Sequence, residues 1–345
     1  MKLSICIPTF NRANHLANCL NSILLCKLNS SHDFQVCVSD NHSTDNTKSI
    51  VQKISPELNI KYSRNDKNIG MVRNVVKVVS MADGDFVWIV GDDDLLMPQA
   101  IEKLYKLIYE HSDVDFFYVN SFNLKAEYLD NFPKPFDTAN LPNNMERFSK
   151  SKNTGEMQFL DLIDPKVSFD FLGGLFLSVF RKKNWALNVD ILNEDALNDS
   201  RLFSHFDNTF PQVKIFAKAF SKSKAYFNAE PLNVNLNGVR EWSDKYALIH
   251  SIRMIEGLDE YRNNGLPYWK YIYCKNYALN NFIPEFIYLI IYKKSSGYVY
   301  INPFKIILKS VLYPNFYLSL FYFIGRRFQR GVKLIFNIWH KRWHF

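Results

Sequence analysis

The 345-residue sequence predicts an α/β fold: a mostly parallel sheet with helices on both faces, followed by a C-terminal helical region rich in basic and aromatic residues. Three observations lead there. Over the first 120 residues, short β-branched runs alternate with longer helical patterns. The runs are apolar nearly throughout, as strands covered on both faces must be. Every polar cluster in this half directly follows one of the runs, where an open α/β sheet gathers its ligand-binding loops.

Taken in order, "KLSICI" (2–7) reads as the first strand and residues 13–26 as a helix. "FQVCVS" (34–39), "NIKYSR" (59–64), "DFVWIV" (85–90) and "DFFYVN" (115–120) read as further strands, separated by helical patterns at 44–54, 70–82 and 97–110. The loops "PTFNR", "DNHSTD", "NDKNIG" and "GDDD" close the first four strands, and together they line a cleft of nucleotide size. From 121 to 155 periodicity is lost among Asn, Pro, Lys and Ser, which reads as a long irregular excursion. Strand-like residues return in "VSFDFLGGLFLSVFRK" (167–182), and "FPQVKIFAKAF" (210–220) has a helical pattern. Residues 1–240 then form one domain, with a nucleotide-binding half (1–120) and a substrate half (121–240), and 241–345 form a separate helical region.

Composition narrows the class. With 47% hydrophobic residues the chain fills a sizeable core and is not disordered. The five cysteines, at 6, 19, 26, 37 and 274, form no CxxC pair, and four lie in apolar segments; buried thiols in a reducing cytoplasm are expected, without disulfides or zinc. The N-terminal apolar run is too short for a signal peptide. The net charge of +8 is unevenly spread: Ile287 to Phe345 carries ten Lys and Arg and no acid, leaving 32 basic and 34 acidic residues before it, a net of −2. A near-neutral body with a basic tail points to a surface partner for the tail.

In "FVWIVGDDDLLMP" (86–98) three consecutive aspartates end an apolar strand. Adjacent carboxylates repel, so a fold that gathers them supplies a cation or uses them as caps. Asp94 stands before a helical pattern and suits a cap, while the cluster as a whole offers hard oxygen ligands for Mg²⁺ or Mn²⁺.

"CIPTFNR", "VSDNHSTDNT", "NIGMVRN" and "ADGDFVWIVGDDDLLMPQAIEKL", in this order and spacing, resemble the family 2, GT-A-type inverting glycosyltransferases, which use nucleotide-activated sugars. The resemblance covers about the first 110 residues closely and extends more loosely to about 220. The "SDN.STD" and "GDDD" variants with "TFPQ" are most similar to the abequosyltransferase-like branch of O-antigen polysaccharide enzymes. It implies that Pro8, Thr9 and Arg12 cradle the nucleotide, that Asp40 accepts a hydrogen bond from the base, and that Asp45 is the last acid of its motif, where capping is the alternative. It further implies that Asn68, Gly70, Arg73 and Asn74 form a helix start facing the nucleotide. Anchored on Pro98, the family's Asp-x-Asp-Asp falls on Gly91, Asp92, Asp93 and Asp94, so the first acid of that signature is glycine in this chain. Asp93 matches the acid that contacts the metal, Mn²⁺ or Mg²⁺, and Asp92 replaces the missing acid or contacts ribose. The base that deprotonates the acceptor hydroxyl lies late in the family's catalytic domain, where "SHFDNTFPQ" offers Asp207 and, second, His205.

The tail segments 281–292 and 311–324 are apolar but shorter than the roughly 20 residues that cross a bilayer. A helical reading from 321 puts Phe321, Ile324, Phe328, Val332, Ile335, Trp339 and Trp343 on one face and Arg326, Arg330, Lys333, Asn337 and Lys341 opposite. Such a helix lies in an anionic membrane interface, or packs its stripe on the body or on a second subunit. The expected enzyme takes a nucleotide-sugar donor (UDP-, CDP-, GDP- or dTDP-linked) and a lipid-linked glycan acceptor, and sits in the cytoplasm on the inner face of the membrane. Two other classes compete. A nucleotidyltransferase opens with a Gly-rich phosphate loop, and "PTFNRANH" contains no glycine. A nucleic-acid-binding protein is disfavoured by acidic loops at the sheet edge, which repel phosphate.

Overall fold

Successive side chains of a strand point to opposite faces, and the first strand, β1 (Leu3–Thr9), accordingly feeds two cores. Leu3, Ile5 and Ile7 pack with Leu16, Leu20 and Ile23 of α1 (Ala13–Leu28), while Cys6 lies in the other core. The structure, a computed structural model, describes residues 1–238 and 243–342, with 329–342 as backbone alone. After α1 the chain continues through β2 (Gln35–Asp40), α2 (Thr47–Leu58), β3 (Ile60–Arg64), α3 (Met71–Met81), β4 (Phe86–Ile89), β5 (Leu95–Leu96), α4 (Ala100–Glu110) and β6 (Phe116–Lys125). The α4 residues Leu104 and Ile108 join the α1 core, whereas Val75, Val78 and Val79 of α3 join that of Cys6, so helices cover both faces as the sequence predicts.

The remaining elements of the sheet domain are β7 (Glu146–Arg147), β8 (Gly155–Gln158), β9 (Ser178–Arg181), α5 (Lys182–Ala186), α6 (Glu194–Asn198), α7 (Pro211–Phe220) and β10 (Lys224–Asn237). The strand order is β3-β2-β1-β4-β9-β6-β10-β5, with β7 paired to β6 and β8 to β10. β3, β2, β1 and β4 are parallel, which brings their carboxyl ends to one edge. β9 enters antiparallel between β4 and β6, and β10 runs parallel to β6.

Several boundaries differ from the sequence expectation, each for a local reason. Only Ser178–Arg181 of 167–182 is a strand, because Phe171 and Leu172 turn into the left-handed region (φ 50° and 65°) ahead of the two glycines. β6 runs past residue 120 to Lys125, since β10 resumes pairing with it beyond an irregularity at Asn228–Asn233. β5 is two residues long and shows no periodicity, so the sequence pattern cannot reveal it.

Past residue 242 the described chain is helical: α8 (Tyr246–Leu248), α9 (Met254–Asn263), α10 (Tyr268–Ala278), α11 (Phe282–Ile291), α12 (Pro303–Ser310) and α13 (Pro314–Arg342). Leu248, Leu258, Tyr261, Phe282 and Leu289 share the core that holds Phe116 and Phe216, so the first of these helices cover the α3–α7 face of the sheet. α13 is anchored at its start: Phe316 lies 5.3 Å from the Phe282 ring, and Ser319 Oγ accepts a bond from the Ile283 amide. From Leu320 to Phe328 every residue is exposed. The predicted stripe residues Val332, Ile335, Trp339 and Trp343, and Arg330, Lys333, Asn337 and Lys341 opposite, lie outside the described side chains. No single helix among the described residues is long and apolar enough to cross a membrane; α12 with α13 up to Phe328 reaches that length and composition only as a pair bent by 99°. All five cysteines are free and buried.

Candidate active site

The aspartate run forms a tight turn directly beyond β4. The Val90 amide still bonds to Cys6 O, and the chain then folds so that the Asp94 amide donates to Gly91 O and Asp94 Oδ2 accepts from the Gly91 amide. The two carboxylates fold back over Gly91. A Cβ at that position would stand 2.8 Å from both Asp93 Oδ1 and Asp94 Oδ2, so a side chain there would require those two carboxylates to shift. Asp94 is not a helix cap: β5 intervenes and α4 begins only at Ala100, so the side chain closes the turn instead.

Asp92 and Asp93 are gathered with two residues from the end of β1. Thr9 Oγ1 donates to Asp92 Oδ2 at 2.8 Å, and Arg12 Nη1 donates to Asp92 Oδ1 at 2.9 Å and to Asp93 Oδ2 at 3.1 Å. Burial and the neighbouring Asp93 charge push Asp92 up to about 6, against the pull of Arg12. Burial works against the Arg12 guanidinium, but the two carboxylates outweigh it and raise its pKa. One guanidinium nitrogen, Nη1, bridging two carboxylates marks a spot where cationic charge is favoured.

The donor chemistry of this pair suits a divalent ion. Asp92 and Asp93 offer hard carboxylate oxygens, and no cluster of three or more His, Cys, Asp or Glu able to hold a metal occurs among the described residues. Mg²⁺ is commonly held this way, by one or two carboxylates with the remaining ligands from substrate phosphates and water.

Next to the acid pair, Asp40 ends β2, fully buried. Its Oδ1 accepts from the Ser43 amide at 2.7 Å, its Oδ2 accepts from Tyr62 Oη at 2.6 Å, and Arg64 Nε lies 3.8 Å away. Pro8 sits one residue before the strand end, in register with Ser39. Asn68 Oδ1 accepts from Asn41 Nδ2 and from the Gly70 amide, which sets the chain for α3. Gly70 takes φ +87°, a conformation that glycine adopts without the strain of a Cβ. Asn74 faces inward: its side chain bonds to Ser39 and Asn65, so it ties α3 to the β2 and β3 loops. A cleft of about 360 Å³ beside it is lined by Arg64, Asn65, Asp66, Lys67, Ile69 and Lys77. Asp45 lies one residue before the N-cap of α2, Asn46, whose side chain makes no capping bond; it closes a local turn by accepting from the Thr47 amide and hydroxyl, and it also accepts from the Ala13 amide at the start of α1.

Arg73 reaches across to α6, donating from Nη2 to Glu194 at 2.5 Å and to Asn198 at 2.7 Å. The same segment contacts the late acid: the Asn193 amide donates to Asp207 Oδ2 at 2.7 Å, and Lys214 of α7 pairs with that oxygen at 2.7 Å. His205 is exposed and its Nε2 lies 3.5 Å from Asp199 Oδ2. Asp207 and His205 line one cleft of about 410 Å³ with Asn193, Asp195, Ala196, Phe206 and Lys214. The Arg73 and Asn193 contacts therefore join the α3 start to the loop that carries both candidate bases.

Residues 4–165 match the profile described as glycosyl transferase family 2. These residues are a family 2 glycosyltransferase domain. The family 2 domain is 38% identical over 120 residues to abequosyltransferase RfbV of Salmonella typhimurium, an alignment covering 33% of this chain and 34% of that protein. The GalNAc(5)-diNAcBac-PP-undecaprenol beta-1,3-glucosyltransferase of Campylobacter jejuni is 32% identical over 201 residues, covering 56% of this chain and 57% of its own length. The chain thus spans between about a third and somewhat over half of these relatives. Among solved structures, residues 1–349 of S. aureus TarS superpose with a TM-score of 0.54 at 19% identity, over 86% of this chain and 74% of that one, which shows a common fold.

Several residues of the site carry no motif in the sequence. Tyr62 reaches Asp40, and Glu194 and Asn198 reach Arg73, from positions 22, 121 and 125 residues away. Only the pairing of β2 with β3, with Asp40 opposite Arg64, could have signalled Tyr62.

Proposed function

We propose that this chain is an inverting glycosyltransferase that moves a sugar from a nucleoside-diphosphate donor to a glycan acceptor of a bacterial surface polysaccharide. The observation that carries the reading is the Asp92–Asp93 pair, bridged by Arg12 where β1 and β4 end, inside a family 2 domain. In the proposed site Pro8, Thr9, Arg12, Asp40, Asn68, Gly70 and Asp92 bind the donor, with the α3 N-terminus offering amides and dipole to phosphate. Arg73 joins them on leaving Glu194. Asp93, with Asp92, would hold Mg²⁺ or Mn²⁺, which when bound supplies positive charge for the departing diphosphate. Asp207 takes the proton from the acceptor hydroxyl, with His205 as the alternative, while the acceptor oxygen attacks the anomeric carbon from the face opposite the leaving group.

The acceptor in this proposal is lipid-linked, and the enzyme works at the inner face of the cytoplasmic membrane. Support comes from the Campylobacter relative, whose name carries an undecaprenol acceptor, and from a C-terminal segment with ten basic and no acidic residues. The donor reading is tested by thermal shift with UDP, GDP, CDP and dTDP, each with Mn²⁺ and with EDTA. One nucleotide should raise the melting temperature in a metal-dependent way, and Asp93→Ala should abolish the rise. Absence of any shift in the wild type at saturating nucleotide overturns the reading.

A further inference from the structure

We infer that Arg12 guards the acid pair against free divalent ions and yields it only as a diphosphate arrives, so that metal and nucleotide bind as a coupled pair; this rests on the donor-site reading above. The guanidinium takes one oxygen of each carboxylate, and the second oxygen of Asp92 is held by Thr9. An ion that takes the same oxygens of both acids competes with Arg12 for them. The backbone of Arg12 is fixed, since its carbonyl accepts from Leu16 and the following amide bonds to Asp45. Its side chain, 22% exposed, is the part that moves.

Charge gives the coupling its sign. Two carboxylates and one guanidinium leave one negative charge, which disfavours a diphosphate beside them until further positive charge arrives. A diphosphate in turn offers Arg12 a new bidentate partner, which frees the carboxylates for the ion. Each ligand removes an obstacle to the other, and the effect is reciprocal by linkage. Arg12 is in this sense a positioning residue whose removal changes metal affinity directly.

The test is Mn²⁺ binding to the full-length protein, followed by electron paramagnetic resonance, first with Mn²⁺ alone and then with the nucleoside diphosphate that raises the melting temperature. In the wild type, nucleotide should tighten Mn²⁺ by about tenfold or more. Arg12→Ala and Arg12→Gln, checked as folded by circular dichroism, should bind Mn²⁺ alone about tenfold more tightly than the wild type, with a smaller further gain from nucleotide. Arg12→Lys, which keeps the charge but loses the fork, should fall between. Variants that bind Mn²⁺ alone no better than the wild type overturn the inference. If Mn²⁺ binds none of the proteins while a nucleotide stabilises the wild type in EDTA, the guard is overturned and the donor site stands. If no nucleotide binds at all, the donor-site reading fails and takes the guard with it.

Discussion

Two carboxylates fold closely over Gly91. Asp93 and Asp94 fill the space that a side chain would need, so Gly91→Asp, which restores the acid of the family pattern, should destabilise the protein by ~1–3 kcal/mol through crowding, with charge repulsion added. Urea denaturation reads this directly, and an unchanged midpoint would refute the steric account. Thr9 is a second residue whose role follows from one contact. Thr9→Val leaves an oxygen of the buried Asp92 without its donor and should cost ~1–3 kcal/mol, while Thr9→Ser should recover most of it. Asp170 sets a pH dependence: its carboxylate accepts from Ser168 Oγ and the Gly174 amide, but burial dominates and raises its pKa. The folded state then holds this proton more tightly than the unfolded chain, so the contribution is present at low pH and is lost as pH rises through the raised value. Between pH 4 and pH 7 the melting-temperature difference between Asp170→Asn and the wild type should move in favour of the variant; a gap independent of pH would count against burial as the cause.

At the scale of elements, the α3 start and α6 are tied by Arg73, Glu194 and Asn198. Glu194 is largely exposed, and such ion pairs are worth under about 1 kcal/mol, so Arg73→Ala should barely alter global stability. It should instead loosen the segment that carries Asp207 and His205, which hydrogen exchange would register as faster exchange over residues 193–210. Unchanged protection there would mean that α6 is held by its own packing. The contact also shows what a motif leaves open: "NIGMVRN" resembles a nucleotide-facing helix start, yet its arginine meets an acid 121 residues away. Asn74 of the same motif turned inward to Ser39 and Asn65, because its place on α3 lies over the β2 end. By contrast, the helical pattern of α3 and the nearly all-apolar run of β1 were legible, since both are local properties of the chain.

For the whole molecule, the C-terminal region leaves large apolar side chains in solvent, with Trp269 78%, Leu312 88% and Phe328 73% exposed. Among the described side chains, a chain ending at Leu320 removes exposed residues and the surface bond from Arg326 to Asn281, so their loss should lower the melting temperature little. It should nevertheless lose much of its sedimentation with anionic phosphatidylglycerol vesicles, binding that added salt should weaken in the full chain. Equal sedimentation of both would remove residues 321–345 from the attachment proposed. The sequence by itself determined the layered α/β plan, the four polar strand ends, the buried thiols and the segregation of positive charge, because hydrophobic period and composition are properties of the chain itself. Tertiary structure decided the rest. It inserted β9 between β4 and β6, brought Arg12 onto two aspartates 80 and 81 residues away, and paired Asp207 with Lys214 and the start of α6. Those outcomes depend on which distant surfaces meet when the two cores close, and no local pattern of residues encodes that meeting.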